Sequence, residues 1–358
     1  MLIQINWSVN AQGITNKVDS VKAKHKNSFL VAPLISNTPE TAWAFALASA
    51  YIFKTNKKDT LLRTSTMPSG IAYTSRNQLL IALGGNIFLP KERYIIRFEN
   101  SYSNFPDRFW GLGSDTYNRT YESYSFNQLY LNPQLHRKIW PGYFVGFGWD
   151  FQRVFKVEYS KGGYFDQDQV IGRTPYKISG YSIYFTYDTR NHAYVPDKGA
   201  LFRVKFNDYH NFTGSDFKFN LVEVDFRKFI KSYTKNILAI QFYSNFKFGD
   251  VPLRSLASLG GNNIMRGYYA GRFRDRMFLA TQAEYRFPIY WRFAGVGFVG
   301  VGQVMDKFQS FNLNRFKISV GTGLRFAILP KEKLNLRFDI AFGNYNSFTY
   351  YLILAESF

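Results

Sequence analysis

Residues 333–342 alternate without a break. Leu334, Leu336, Phe338, Ile340 and Phe342 fall on one side, and Lys333, Asn335, Arg337 and Asp339 on the other. A period of two marks an extended strand with one apolar and one polar face. The pattern returns along the chain: Tyr181, Ile183, Phe185 and Tyr187 oppose Ser182, Tyr184, Thr186 and Asp188, and Phe202, Val204 and Phe206 oppose Arg203, Lys205 and Asn207. Leu238, Ile240, Phe242 and Phe246 likewise oppose Gln241, Tyr243, Asn245 and Lys247. One such strand would fit a soluble sandwich. A charged second face that recurs does not, because a sandwich closes a dry core, whereas a membrane barrel turns apolar side chains to lipid and polar ones to a wet lumen.

The alternation predicts an all-β fold, a transmembrane antiparallel β-barrel of about 16 strands. The strands fall at 28–35, 41–53, 65–75, 77–88, 93–104, 121–136, 141–155, 177–189, 199–209, 216–230, 235–248, 276–288, 290–304, 315–328, 333–343 and 347–358. An even count puts both termini on the periplasmic side. The long connectors 105–120, 157–176 and 249–275 then face the cell exterior, and the Pro90-Lys91-Glu92 turn, 137–140 and 231–234 lie opposite. The connectors 54–64 and 190–198 are long for that second end. In 216–230 the pattern breaks, since Phe217, Phe219 and Leu221 start on one face while Val222, Val224 and Phe226 finish there. A bulge near Leu221 would flip the face. The last strand, glycine-free from Tyr350 to Phe358, should pair firmly with 28–35.

Composition sharpens this reading. Aromatic residues make up 19% of the chain, with 37 Phe and 26 Tyr, as aromatic girdles require. Mean hydropathy is slightly negative, and no apolar run reaches the ~18 residues of a helical span. The net charge of +20 would suit nucleic acid, but Lys and Arg are scattered over every strand and loop with no basic helix, so no nucleic-acid partner is expected. The charges fit a lumen, rims and loops that face anionic lipid, including lipopolysaccharide. Zero cysteines leave no disulfide framework and no thiol nucleophile. Val9-Asn10-Ala11 before Gln12 looks like the end of a signal peptide, so 1–11 is taken as its remnant, 12–27 as a Lys-rich periplasmic arm and 28–358 as the barrel.

The stretch Leu259-Gly260-Gly261-Asn262-Asn263-Ile264-Met265-Arg266-Gly267-Tyr268 reads as a long loop with an Arg-Gly-aromatic tip. It continues through Ala270-Gly271-Arg272-Phe273-Arg274-Asp275 into Ala283-Glu284-Tyr285-Arg286-Phe287-Pro288. Together these resemble the signature loop and following strand of the BamA/TamA superfamily (bacterial surface antigen family), in a short form without POTRA domains, for which the chain has no room before its first strand. Phe109-Trp110-Gly111-Leu112-Gly113-Ser114-Asp115-Thr116 resembles a stretch of short members of that group. Its glycines are no phosphate loop, since no Gly-Lys-Ser/Thr follows. Tyr187-Asp188-Thr189-Arg190 with Pro196-Asp197-Lys198-Gly199 resembles a family turn.

The resemblance implies a loop that folds inward, with Arg266, Gly267 and Tyr268 at its tip and Arg266 paired to lumenal acids. Glu284, on the Gln282, Glu284, Arg286 face, is the natural partner. Phe298-Val299-Gly300-Val301-Gly302 resembles the family's Phe-x-Asp-x-Gly with Gly300 at the Asp position, so Asp275 or Asp339 is expected to compensate. Phe358, following the lipid-facing Phe348, Tyr350, Leu352 and Leu354, resembles the C-terminal aromatic signal that the barrel-assembly machinery recognises. The implied role is non-enzymatic: moving polypeptide or lipid into or across the bacterial outer membrane with outer-membrane or periplasmic partner proteins. The alternatives are an accessory subunit of a larger complex, or a pore or anchor for a surface protein. Barrel phospholipases use a Ser-His pair, but His25, His136, His192 and His210 have no suggestive serine neighbour and no metal-binding spacing. No cofactor is expected.

Overall fold

In the computed structural model, residues 27–358 are described, apart from 57–58, 60–61, 168–169, 193–194, 234, 330–333, 355 and 358. The expectations for 1–11, for most of 12–27 and for Phe358 therefore lie outside the described residues. The chain forms a closed antiparallel barrel of sixteen strands. They are β1 (Ser28–Thr38), β2 (Ala42–Phe53), β3 (Ser65–Thr74), β4 (Leu79–Phe88), β5 (Tyr94–Asn104), β6 (Glu122–Leu131 continued by Pro133–Trp140), β7 (Tyr143–Tyr159) and β8 (Tyr176–Asp188). The second half comprises β9 (Gly199–Tyr209), β10 (Phe219–Lys231), β11 (Ile237–Gly249), β12 (Met277–Tyr290), β13 (Phe293–Met305), β14 (Lys317–Leu329), β15 (Leu334–Gly343) and β16 (Ser347–Leu354).

β6 is interrupted where the sequence pattern ran straight through, because Pro133 brings no N–H to the ladder. The neighbouring Asn132 N–H goes instead to the Asn100 side chain at 3.1 Å. The expected bulge in β10 is absent. Its register runs unbroken from Tyr209–Phe219 to Gly199–Phe229 on one side and from Phe219–Gly249 to Lys231–Ile237 on the other. Phe219 and Leu221 simply point inward and are buried.

That inward turn follows from how the barrel is filled. The connectors 105–121, 160–175, 250–276 and 306–316 share one end and, except for the last, fold over the mouth. Beneath them Phe105, Phe109, Tyr124, Phe126, Phe165 and Phe219 form one apolar cluster with Val251 and Leu253. The expectation of a hydrated interior is thus corrected at the loop end, where folded loops demand an apolar seat. At the opposite end the turns 141–142, 232–236 and 291–292 are short, and exposed Trp140, Tyr233, Tyr290 and Trp291 form a girdle. Phe338 and Phe342 of β15 face outward, while Arg337 and Asp339, on either side of Phe338, face inward and are buried.

Ring closure is uneven. β1 runs in register with β2 from Ser28–Ile52 to Thr38–Ala42, and β15 with β16 from Leu336–Leu354 to Gly343–Ser347. Among the described residues β1 meets β16 at a single register position, Asn37 opposite Leu352. Among the described residues the firm pairing expected of glycine-free β16 is therefore not formed. Past Leu354 the chain leaves the wall, and Glu356 and Ser357 are buried among lumenal side chains.

The face assignment has a direct check. Phe338→Arg, placing a charge on the lipid face near mid-strand, should destabilise the barrel in vesicles by ~2–4 kcal/mol, read as a lowered urea midpoint.

Candidate functional site: a lumenal arginine cluster under the inward loop

The connector 250–276 enters the barrel as a hairpin, with Ala257–Leu259 paired to Phe273–Asp275 as its stem. One face of the stem is apolar: Ala257, Leu259 and Phe273 pack with inward Phe278, Ala280 and Val304. The tip reverses through left-handed positions at Gly260, Gly261, Met265 and Gly267. Gly267 has a φ of 108°, and a Cβ there would stand 2.7 Å from the Phe342 carbonyl oxygen. This position requires glycine for conformation and for space.

Arg266, 1% exposed, points between two strands' carboxylates. One terminal nitrogen donates to Glu284 Oε2 of β12 at 2.5 Å and the other to Asp339 Oδ2 of β15 at 2.6 Å. The guanidinium lies over the Phe298 ring, 3.4 Å from its centroid. Phe298 comes from β13, opposite Glu284 in register, so the wall between the two acids supplies the stacking face. The absent acid at Gly300 is explained by packing: a Cβ at Gly300 would stand 3.1 Å from Met265 Sδ, and the loop's own methionine fills that space. Of the two compensating acids the sequence allowed, the structure brings Asp339 to Arg266 and leaves Asp275 at the stem, accepting from the Arg276 backbone N–H at 2.8 Å.

Three further arginines surround the pair and were not singled out from the sequence. Arg286 donates to Glu284 Oε1 at 2.7 Å. Arg325 of β14 donates to Asp339 and, at 2.8 Å, to Glu356 Oε2. Arg337 lies 3.5 Å from Asp339 and donates to the Asn262 carbonyl of the loop at 3.0 Å. Four guanidiniums thus meet three carboxylates, all almost wholly buried. Ser357 donates to Glu284 Oε2 at 3.1 Å, which ties the end of β16 to the carboxylate that holds Arg266. The available signal was parity: Arg286, Arg325 and Arg337 all sit on inward faces. For Glu356 parity misled, since the expected strand 347–358 put it on the face of Phe348 and Tyr350, whereas β16 ends at Leu354 and Glu356 is buried in the lumen.

The tip also bridges the weak seam. On the β16 side, Gly267 N–H donates to Thr349 Oγ1 at 3.0 Å, Ser347 Oγ donates to the Gly267 carbonyl at 2.6 Å, and Tyr351 reaches the Tyr268 carbonyl at 3.3 Å. On the β1 side, the Ala270 N–H donates to Glu40 Oε1 in the β1–β2 turn at 2.7 Å. Tyr268 donates to the Ile318 carbonyl and accepts from the Asn344 N–H, each at 2.7 Å. At the loop end a second knot gathers on Asp107, which takes Arg274 at 2.8 Å, Arg254 at 3.0 Å and the Tyr124 hydroxyl at 3.0 Å. The 109–116 stretch braces the stem, with Gly113 N–H to the Arg274 carbonyl at 2.8 Å and Ser114 Oγ to the Val304 carbonyl at 2.7 Å.

Phe348 and Tyr350 face outward and are exposed, and Leu352 meets β1. The side chain of Leu354 and all of Phe358 are outside the described residues. His136 faces the lumen, where its Nε2 meets Gln134 at 2.8 Å, and His192 Nδ1 accepts from the Val195 N–H at 3.0 Å. Among the described residues no serine is hydrogen-bonded to His136. Among the described residues no group of acids or histidines is arranged to hold a metal ion.

The family model of the Omp85 superfamily domain matches residues 49–351. No curated protein matches the chain. Among solved structures, the fold is similar to that of BamA from Haemophilus ducreyi lacking POTRA domains 1-3, with a TM-score of 0.62, 13% identity, and 92% of this chain and 70% of that one covered. It is also similar to CdiB from Acinetobacter baumannii, at TM-score 0.59 and 12% identity, covering 92% of this chain and 59% of that one. CdiB from Escherichia coli matches at TM-score 0.59 and 8% identity, covering 93% and 68%. At these identities the likeness is one of fold. The expected barrel and the BamA/TamA resemblance are both borne out.

Two outcomes test the site. Glu284→Gln leaves Arg266 and Arg286 short of a buried counter-charge, at a cost on the order of 3–5 kcal/mol. Faster protease cutting within 260–272 and a lower temperature for the heat-modifiable gel shift should follow. Burial, reinforced by Asp306, pushes the Asp275 carboxyl up from 3.8 to about 6. Its folded form therefore holds its proton longer than the unfolded one, so its contribution is full below pH 3.8 and lost as pH rises through about 6. Protease resistance of the loop should fall over that window in the parent, and Asp275→Asn should flatten that dependence.

Proposed function

The chain belongs to the Omp85 superfamily, and from that premise we propose that it moves polypeptide or lipid into or across the outer membrane, without enzymatic chemistry, by parting β1 from β16. The observation that carries this reading is the seam, in register at Asn37–Leu352 alone among the described residues. Along Ser28–Ser36 the β1 edge offers main-chain donors and acceptors that a guest strand can use. The loop end of the seam is closed by the tip contacts to Glu40, Ser347 and Thr349. The other end has no such bridge among the described residues, so opening starts there, on the side we assign to the periplasm together with both termini.

In this proposal the arginine cluster is a latch. While Glu284 and Asp339 hold Arg266, the tip stays across the seam; when the end of β16 swings out, Glu284 loses Ser357 and Arg325 loses Glu356. Partners are outer-membrane lipid, lipopolysaccharide, and outer-membrane or periplasmic proteins that deliver cargo. The apolar clusters that fill the loop end support a closed resting barrel over a permanently open pore. The aromatic run Phe348, Tyr350, Leu352, Leu354 and Phe358 is proposed as the signal for this barrel's own assembly.

The test uses the absence of native cysteine. Paired Asn37→Cys and Leu352→Cys substitutions should form a disulfide under mild oxidation, abolish the chain's contribution to outer-membrane composition, and regain it on reduction. Full activity in the oxidised, cross-linked protein would exclude a parting seam, and a pull-down from native membranes would name the cargo or partner.

A further inference from the structure

Alternation on β13 assigns Val299 and Val301 to the lipid face, where they are 50% and 38% exposed. The same parity carries Gln303 and Met305 outward. Both are nevertheless buried, as is Met277, the outward residue of β12 opposite Met305. The outer wall is therefore covered at the long-loop end, and Phe308 of the β13–β14 connector 306–316 lies against it. Phe308 fixes its position: its ring lies edge-on to Phe246, 5.1 Å away, and 6.1 Å from Phe248, both on the outward face of β11.

This connector is a shaped flap. It holds two short turns, Phe308–Ser310 and Leu313–Arg315, the Ser310 hydroxyl bonds Asp306, and Asn312 accepts from the Asn314 N–H at 2.9 Å. Phe311 packs edge-on against Phe316, and Arg315 reaches Asp115 of the 105–121 loop at 3.0 Å. Its outer surface is apolar, with Phe308, Phe311 and Leu313 exposed, Leu313 by 74%. Exposed Lys307 and half-buried Arg276, whose guanidinium also lies 3.9 Å from Asp306, stand at its base. A cluster of large apolar side chains beside cationic ones is what an interfacial membrane layer selects.

We propose that the 306–316 flap is seated in the membrane, with Phe308, Phe311 and Leu313 among the acyl chains of the leaflet at the long-loop end and Lys307 and Arg276 at its anionic headgroups. Continuity with the lipid-facing wall at Phe246 and Phe248 selects lipid as the occupant. Through Arg315 and Asp115 the flap ties that leaflet to the loops over the lumen. The inference rests on the membrane-barrel reading and is independent of the seam.

Single-cysteine variants Phe311→Cys and Leu313→Cys, spin-labelled in vesicles of phosphatidylethanolamine and phosphatidylglycerol, test it. Val299→Cys is the lipid standard and Lys161→Cys, in an exposed loop turn, the water standard; heat-modifiable migration confirms folding of each. The ratio of oxygen to nickel-chelate collision at positions 311 and 313 should be several-fold above that at 161 and approach that at 299. A ratio equal to that at 161 overturns the proposal, and shielding that appears only in native membranes overturns it in favour of a protein partner. A water-like ratio at 299 would instead defeat the membrane reading of the barrel, and the flap with it.

Discussion

A guanidinium removed from water must be met by fixed counter-charge, and Arg266 at 1% exposure is the point where this chain has to satisfy that demand. Its two acids come from β12 and β15, with β13 and β14 between them, so the arginine finds both only when these four strands hold their register. The loop can enter only because its stem is apolar enough to sit against Phe278, Ala280 and Val304. The tip can reverse only because Gly267 accepts a conformation closed to other residues. Loop, wall and the end of β16 are thus one electrostatic unit.

The barrel itself was legible in the sequence because lipid and lumen impose opposite demands on alternate side chains. Strand boundaries from β8 to β15 follow the alternation to within a few residues. Reading failed where a different constraint took over. Phe219 and Leu221 looked like a slipped face, although their register never shifts; what changes is the lumen, which at that depth is filled by loops. Pro133 interrupts β6 through a missing donor that a hydropathy pattern does not register.

For the site, the resemblance of the loop to the BamA/TamA signature pointed to Arg266, Gly267 and Tyr268, and strand parity put Glu284 on the inward face. The choice between Asp275 and Asp339 could not be made from spacing, because it depends on how far the hairpin reaches into the barrel. Gly300 gave no hint that Met265 would occupy the space of the missing carboxylate. The arginines at 286, 325 and 337 were visible as inward positions, yet only the folded ring brings β12, β14 and β15 around one centre. Firm closure was inferred for β16 from its lack of glycine, but what draws its end off the wall is Glu356, which meets Arg325 in the lumen.

Glu284 accepts from Arg266 of the loop and from Ser357 beyond β16 at the same oxygen, Oε2. Two ligands that share one acceptor in a dry site are thermodynamically linked, and linkage is reciprocal. Whatever free energy the departure of Ser357 adds to or takes from the grip on Arg266, release of Arg266 returns to Ser357 in equal measure. A change at either end of this contact is therefore felt at the other, from the end of β16 to the loop tip or from the tip back.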